Sequence, residues 1–350
     1  MKRKGLMTIA LLAALNMQAQ EVNTYTPGMI EDGVVYYLPK TILEIKVVAS
    51  KSKYTPGELC QYANRYLKLQ NISAQPSEEW SIKSVEVNAI GTPDETKAYS
   101  VKLKDKSVAS QVELTENGII KAINTTLPKE KPAKKEPEPQ LPKRLDPRSF
   151  MTEEILMAGS SNKMAELVAQ EIYSIRESKN SLIRGQADYM PQDGSALNIM
   201  LHNLEIQEKA MIEMFSGITE VTDQTFTFYI EPAKDFKEQI LFRFSKKLGV
   251  LKDNNLAGEP IFISISDESA LPATNEAVKA GKKIEGIIYN IPGKGRVSIE
   301  SMDYSFYEEE LNITQFGETE VLVDDLFNKK VNTRVIFNPT TGGIVKIDKD

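Results

Sequence analysis

The chain is poor in the side chains that most often carry chemistry. Its 350 residues include one histidine, His202, one cysteine, Cys60, and one tryptophan, Trp80. A single histidine rules out zinc sites built on two imidazoles, and with them the helical motif H-E-x-x-H. A single cysteine rules out thiolate clusters and any intrachain disulfide. A serine–histidine–aspartate triad would have to use His202. No stretch approaches the roughly 18 consecutive apolar residues of a membrane-crossing helix. Positive charge is also in short supply. Lysine and arginine number 43 against 49 acidic residues, a net charge of −6. Such a balance argues against nucleic acid and against a cationic role at a membrane surface.

The first twenty residues have the pattern of a secretory signal. Lys2, Arg3 and Lys4 precede an apolar run from Leu6 to Leu15, which Asn16 interrupts. Met17 and Ala19 flank the expected cleavage point, after Ala19 or Gln20. No cysteine follows the run, so a lipid anchor is not expected. Export to the periplasm, to the outer membrane or beyond the cell follows. The mature protein, having no disulfide, must then be held by its core. Cys60 is read as a small buried apolar residue.

A segment dense in proline and in both charge signs, residues 127–147, divides the rest. It has too few apolar side chains to offset the entropy of ordering and reads as a solvated connector. A partner-docking tether is the sharper alternative. Before it, residues 21–126 read as strands with one helix. "VVYYLPKTILEIKVVAS" forms two runs about Pro39, which marks a strand end or edge. "YTPGELCQYANRYLKL" reads as the helix, with Thr55 as cap, Pro56 in the first turn and Glu58 completing a capping box. Leu59, Tyr62, Ala63, Tyr66 and Leu67 would line its buried face. Asn117-Gly118 sits at the turn of a short hairpin.

Residues 148–218 read as a helical hairpin. One helix, near 162–183, buries Met164, Leu167, Val168, Ile172, Ile175 and Leu182. The other is capped by Asp193 or Ser195, carries Leu197, Leu201, Leu204, Met211 and Phe215, and ends at Gly217. Residues 219–350 return to alternating strands of the antiparallel kind. The expected class is α+β: mostly antiparallel β regions with a helical hairpin inserted between two β-rich parts. A faint repeat accompanies this. "VVYYLP" at 34–39 is echoed by "IIYNIP" at 287–292, and "VELTENGIIKAI" at 112–123 by "VIFNPTTGGIVKI" at 335–347. Duplication and the small vocabulary of hairpin residues both account for it.

"YYLPKTILEIKV", "TPGELCQYANRYL", "GTPDETKAYSV", "IYNIPGKGRVSI", "TQFGETEVL" and "VIFNPTTGGIVKI" together resemble a family of exported proteins of Bacteroides-type bacteria, domain of unknown function 4831. The resemblance covers nearly the whole mature chain and implies export from a Gram-negative cell. It brings no activity, cofactor or site residue with it.

The remaining candidates for chemistry are few. His202 lies off the main helical stripe, between Ile199 and Ile206, with Glu205 one turn on; a boundary position is expected. Ser160-x-x-Lys163 has the spacing of a serine–lysine pair, but Ser50-x-x-Lys53 repeats it and a helix cap explains Ser160 or Ser161 better. "PGKGR" at 292–296 lacks the phosphate-loop pattern and reads as a hairpin turn. Glu308, Glu309 and Glu310 suggest a solvated or edge strand, not a matched acid–base pair. Asp324-Asp325 and Asp348 do not fit a calcium loop. Trp80 and the tyrosines could line a sugar-binding face, although packing explains strand positions such as Tyr229 and Tyr289. No catalytic residue, cofactor or metal site is therefore assigned. The expectation is a non-catalytic binding or structural module of the cell envelope, whose partner is an envelope protein or a glycan. A carboxylate-dependent hydrolase acting on glycan or peptide is the alternative. The mature form recovered from the native host is expected to begin at Gln20 or Glu21, which its intact mass will show; retention of Lys2–Lys4 would refute the signal reading.

Overall fold

A computed structural model describes residues 21–24, 34–101, 112–128, 145–191, 193–269, 284–323 and 333–349. Residues 1–20, expected as a signal, most of the proline-rich connector and Asp324-Asp325 lie outside these residues. The strands are β1 (Glu21–Thr24), β2 (Val34–Thr55), β3 (Ser77–Val101), β4 (Val112–Leu114), β5 (Ile120–Ile123), β6 (Ile218–Ile230), β7 (Phe236–Ser245), β8 (Gly249–Leu251), β9 (Glu259–Asp267), β10 (Ile284–Glu300), β11 (Ser305–Val323), β12 (Thr333–Phe337) and β13 (Ile344–Lys349). The helices are α1 (Ala63–Leu67), α2 (Glu153–Leu156), α3 (Ser161–Ile183) and α4 (Gly194–Ser216). The class is α+β with antiparallel sheets, as the patterning predicts.

One sheet runs in the order β6-β2-β3-β1-β10-β9-β7-β8, with β11 added on β10. It folds over on itself. The Trp80 N–H at the start of β3 donates to Lys246 O in the β7–β8 turn at 2.8 Å. Between the two halves lies a core of Leu43, Ile45, Val47, Phe242, Ile263, Val297, Ile299 and Ile313. A second sheet, β13-β12-β5-β4, covers the other end. Its core joins Tyr36, Leu38, Ile120, Ile123, Ile288, Val335 and Phe337. The third core is helical and gathers Leu59, Ala63, Ile155, Val168, Ile172, Met211 and Phe215.

Two long hairpins, β2–β3 and β10–β11, run through both β cores. Each has an interval with no described strand on its outer side. For β2, strand β6 covers only Leu43–Thr55. For β10, β1 covers Ile284 and Glu285 and β9 covers Gly295–Glu300. Buried backbone groups there still need partners. Side chains and turns supply them. The Tyr36 hydroxyl donates to Ile288 O at 3.1 Å and accepts from Ile288 N–H at 3.0 Å. Asn290 N–H donates to Gly342 O. On β2, Tyr37 N–H donates to Gly118 O, and Thr41 N–H donates to Thr314 Oγ1 while Gln315 Nε2 donates to Thr41 O.

This arrangement corrects the reading of Pro39. No strand ends there; β2 runs through it with a register shift between Tyr37 and Pro39. The local edge is real, since the outer side is strandless and a missing N–H is tolerated. Pro292 occupies the corresponding place in β10, beside a shift between Ile291 and Gly293. "PGKGR" is therefore not a turn. It lies inside β10, and a side chain at Gly293 or Gly295 would collide with the Phe316 region of β11. The echoed segments share chain path: a long hairpin, then a short one whose left-handed glycine, Gly118 or Gly342, anchors the strand. Those glycines have φ of +80° and +71°.

The helix expected at 55–67 is shorter than its pattern. Thr55 is used in the ladder, opposite Ile218. Leu59 N–H donates to Met214 O at 2.8 Å, and Gly57 packs directly on that carbonyl. The segment docks on the end of α4 before coiling into one 3-10 turn and α1, which has no side-chain cap. Glu58 pairs with Arg148 instead of capping. The stripe survives: Leu59, Ala63 and Leu67 are buried, with Tyr62 and Tyr66 packed beside them.

Tyr36→Phe keeps the ring and orphans a buried N–H and C=O. We expect a loss of about 2–3 kcal/mol in urea unfolding, far more than removing a solvated hydroxyl. A change within 0.5 kcal/mol would mean that the contact is not needed.

Candidate functional surfaces

The helical hairpin is built as its sequence predicts. Ser160 caps α3, its Oγ accepting from Lys163 N–H at 3.2 Å. Asp193 caps α4, its carboxylate accepting from Ala196 N–H at 2.7 Å. Gly217 ends α4 with a left-handed φ of +72°. Lys163 Nζ meanwhile pairs with Glu166, not with Ser160. The repeat of that spacing is equally structural, for Ser50 Oγ bonds Asp223 across the β2–β6 pair. Neither serine has a lysine poised to take its proton.

The two helices are tied across their seam by charge. Arg176 Nε meets Glu208 at 2.6 Å and Lys179 Nζ meets it at 3.0 Å, with Glu205 3.7 Å from the same lysine. Burial alone would raise the Glu208 carboxyl; the hydrogen bonds from Arg176 and Lys179 together outweigh it and hold the pKa below the usual carboxylate range. Arg176 with Lys179, and Glu205 with Glu208, each stand one turn apart, so each helix presents charge of one sign to the seam. Between this cluster, the end of α4 and the start of β6 lies an open cleft of about 430 Å³. Lys209, Glu213 and Thr219 also line it.

His202 is exposed on α4, not at a boundary. It is one member of a half-helix that carries apolar groups into solvent. Only the inner parts of α3 and α4 contribute the bulk of the helical core. Towards the hairpin tip, Ile183, Tyr189 and Ile199 are 66%, 90% and 62% exposed, and Met190 and Met200 also face solvent. Leu197, Leu201 and Leu204, expected in the core, are half-buried, Leu204 against the edge of the helical core. Five large apolar side chains are thus exposed within 18 residues of chain, and contiguous apolar surface on folded domains marks contact sites.

A second depression, of about 270 Å³, lies on the wet face of β7, β9 and β10. Lys237, Glu238, Arg296, Glu300 and Glu308 line it, with Ser264, Ser266 and Ser298 between them. A bulge places Glu238 at a positive φ of 53°, its N–H donating to Ser264 Oγ. Arg296 bridges Glu268 and Glu308. Lys294 holds Glu310 below its ordinary pKa through a hydrogen bond. Glu309 accepts from Tyr307, whose phenol is pushed up to about 12 chiefly by burial and then by that carboxylate. Glu308 and Glu310 are thus exposed and ion-paired, while Glu309, on the other face of the strand, is exposed and held by a phenol. Asp348 pairs with Lys346.

Trp80 is half-buried against Gly249, with Lys51 Nζ 5.6 Å from its ring centre. It is a packing residue where β3 meets β8. Tyr289 is half-buried and donates to Glu320 at 2.6 Å. Tyr229 departs from the packing expectation: it is 60% exposed and bonds Glu44 on the outer face of the sheet. Cys60 is half-buried at the hairpin base. Among the described residues no three His, Cys, Asp or Glu side chains gather as metal ligands, and no helix is long and apolar enough to cross a membrane.

An antiparallel sheet folded over on itself, capped by a second sheet and carrying a helical hairpin, defines an α+β protein with open polar depressions and one apolar helical tip. The chain belongs to the family described as Domain of unknown function (DUF4831), whose model matches residues 32–345. No curated protein and no solved structure matches it.

Glu208→Gln should cost about 1 kcal/mol at pH 7. The native pKa lies below the unfolded one, so the carboxylate's contribution is complete above roughly pH 4–5 and is lost as pH falls through the folded value. Urea midpoints of the two proteins should therefore converge once the pH has fallen below the folded value. A gap that persists there would rule out the ionic account.

Proposed function

We propose that this chain is an exported, non-catalytic module of the cell envelope that binds another envelope component through the tip of its helical hairpin. The observation that carries the reading is the cluster of Ile183, Tyr189, Met190, Ile199 and Met200 in solvent at the end of two well-capped helices. Leaving that surface wet costs solvation free energy, about 25 cal/mol for each Å² that a partner would cover. The ion cluster at Glu208 holds the two helices as a rigid arm beneath the tip. Export itself, to the periplasm of a Gram-negative cell, rests on the signal pattern of residues 1–20.

The hydrolase alternative draws on the second depression, where Glu238, Glu300 and Glu308 face a common bowl. Glu308 is paired with Arg296, and Glu238 and Glu308 are exposed, which suits a polar contact surface better than a pair with separated acid and base roles.

The test is a pull-down from periplasmic and outer-membrane extract with the mature chain and with Tyr189→Ser/Ile199→Ser/Met200→Ser. The intact protein should retain a component that the triple variant loses at least tenfold, with equal thermal midpoints for both. Recovery of nothing, or equal recovery by both, would overturn the tip as the binding surface.

A further inference from the structure

The open edges of this fold are protected unequally. Strand edges attract other strands, and natural sheets blunt them with short length, lysine, proline or bulges. β8 and β4 each span three residues. β13 carries Lys346 and Lys349. β11 carries three successive glutamates and a register shift. β6 has none of these protections. It is 13 residues long, pairs with β2 from Ile218 to Ile230 without a register shift, and contains no lysine and no proline. No described strand lies on its other side. Its two acidic residues are accommodated within the chain: Asp223 bonds Lys83 and Ser50, and Glu220 stands opposite Lys53.

We propose that β6 pairs with β6 of a second copy of this chain, making one continuous antiparallel sheet across a two-fold axis. The sequence of β6 is self-complementary about its midpoint, Gln224. Pairing there overlaps all thirteen residues. It sets Asp223 against Thr225, Glu220 against Phe228, Val221 against Thr227, Thr219 against Tyr229 and Ile218 against Ile230, so no like charges oppose one another. Shifting the axis by one residue towards the start of β6 would oppose Asp223 to itself, and shifting it the other way would leave Ile218 and Thr219 without partners. The alternation of faces is preserved, so Phe226 and Phe228, packed on the folded-over core, stay on one side of the joined sheet. β-branched and aromatic cross-strand partners of this kind stabilise such pairs. A closed two-fold assembly also consumes both edges and stops further addition. This proposal is independent of the hairpin tip, which lies on other elements.

On the axis Gln224 faces its own copy, at the roughly 5 Å separation of directly opposed residues. It is exposed and opposite Ala49, so its replacement leaves the single chain intact. Light scattering after size exclusion of the mature chain should give twice the monomer mass. Gln224→Lys and Gln224→Glu should each shift the dimer dissociation constant upward at least tenfold, and an equimolar mixture of the two should restore dimer at the wild-type concentration. A monomeric wild type at 100 µM, or variants that dimerise as the wild type does, would overturn the proposal. So would single variants that weaken assembly without rescue on mixing, since rescue requires the two positions to face each other.

Discussion

The fold depends on one buried hydroxyl. Tyr36 reaches from β2 to β10 and satisfies both the N–H and the C=O of Ile288, in an interval where, among the described residues, no strand stands on the outer side of β10. A sheet that turns over on itself must leave such intervals, because a strand cannot pair on a side from which the chain has curved away. Every backbone group exposed there in the interior needs another partner. Burial pushes the Tyr36 phenol far above its ordinary pKa, with the bond to Ile288 opposing, so it remains a donor throughout the physiological range. The Gly118 and Gly342 turns and the Thr41–Thr314–Gln315 cluster do the same work at neighbouring positions. Two prolines, Pro39 and Pro292, sit where the outer side asks for no donor.

That solution is used twice. Both long hairpins carry a proline in the strandless interval and a left-handed glycine turn that bonds the strand two residues before it. The two short hairpins then meet through β5 and β12 to close the second sheet. The echoed residues of 34–39 and 287–292 share a local geometry: the matched residues, Tyr37 and Asn290, make matching backbone bonds. The helical hairpin lies between these halves and is fastened through Leu59 to the end of α4 and through Gly217 to β6. Its charged seam and apolar tip project a surface that the sheets themselves do not need.

Much of this could be read from residue order alone. Helix periodicity, the Ser160 and Asp193 caps, the Gly217 stop and the Asn117-Gly118 turn are local matters. Each follows from the bonding of a few successive residues, and each stands in the structure where the sequence puts it. The scarcity of His and Cys likewise limited the chemistry without any coordinates. Strand positions were legible and strand lengths were not. Pro39, and the glycines of 292–296, look like interruptions because a sequence cannot tell a turn from a close approach by another strand. The capping pattern at Thr55 failed for the same kind of reason: a β ladder and the carbonyl of Met214, both distant in sequence, claimed the groups that would have started a helix.

The surfaces divide in the same way. The sequence by itself determined which helices and strands form and that any reaction here must proceed without a cluster of imidazoles or thiolates, since these follow from local bonding and from composition. Only the tertiary structure decided that Leu197 and Leu201 lie at a half-bare tip, that Glu238 is turned outward by a bulge, and that β6 is left as a long unguarded edge. Whether an apolar stripe is covered, or an edge is paired, depends on where elements hundreds of residues apart come to rest, and no local pattern contains that information.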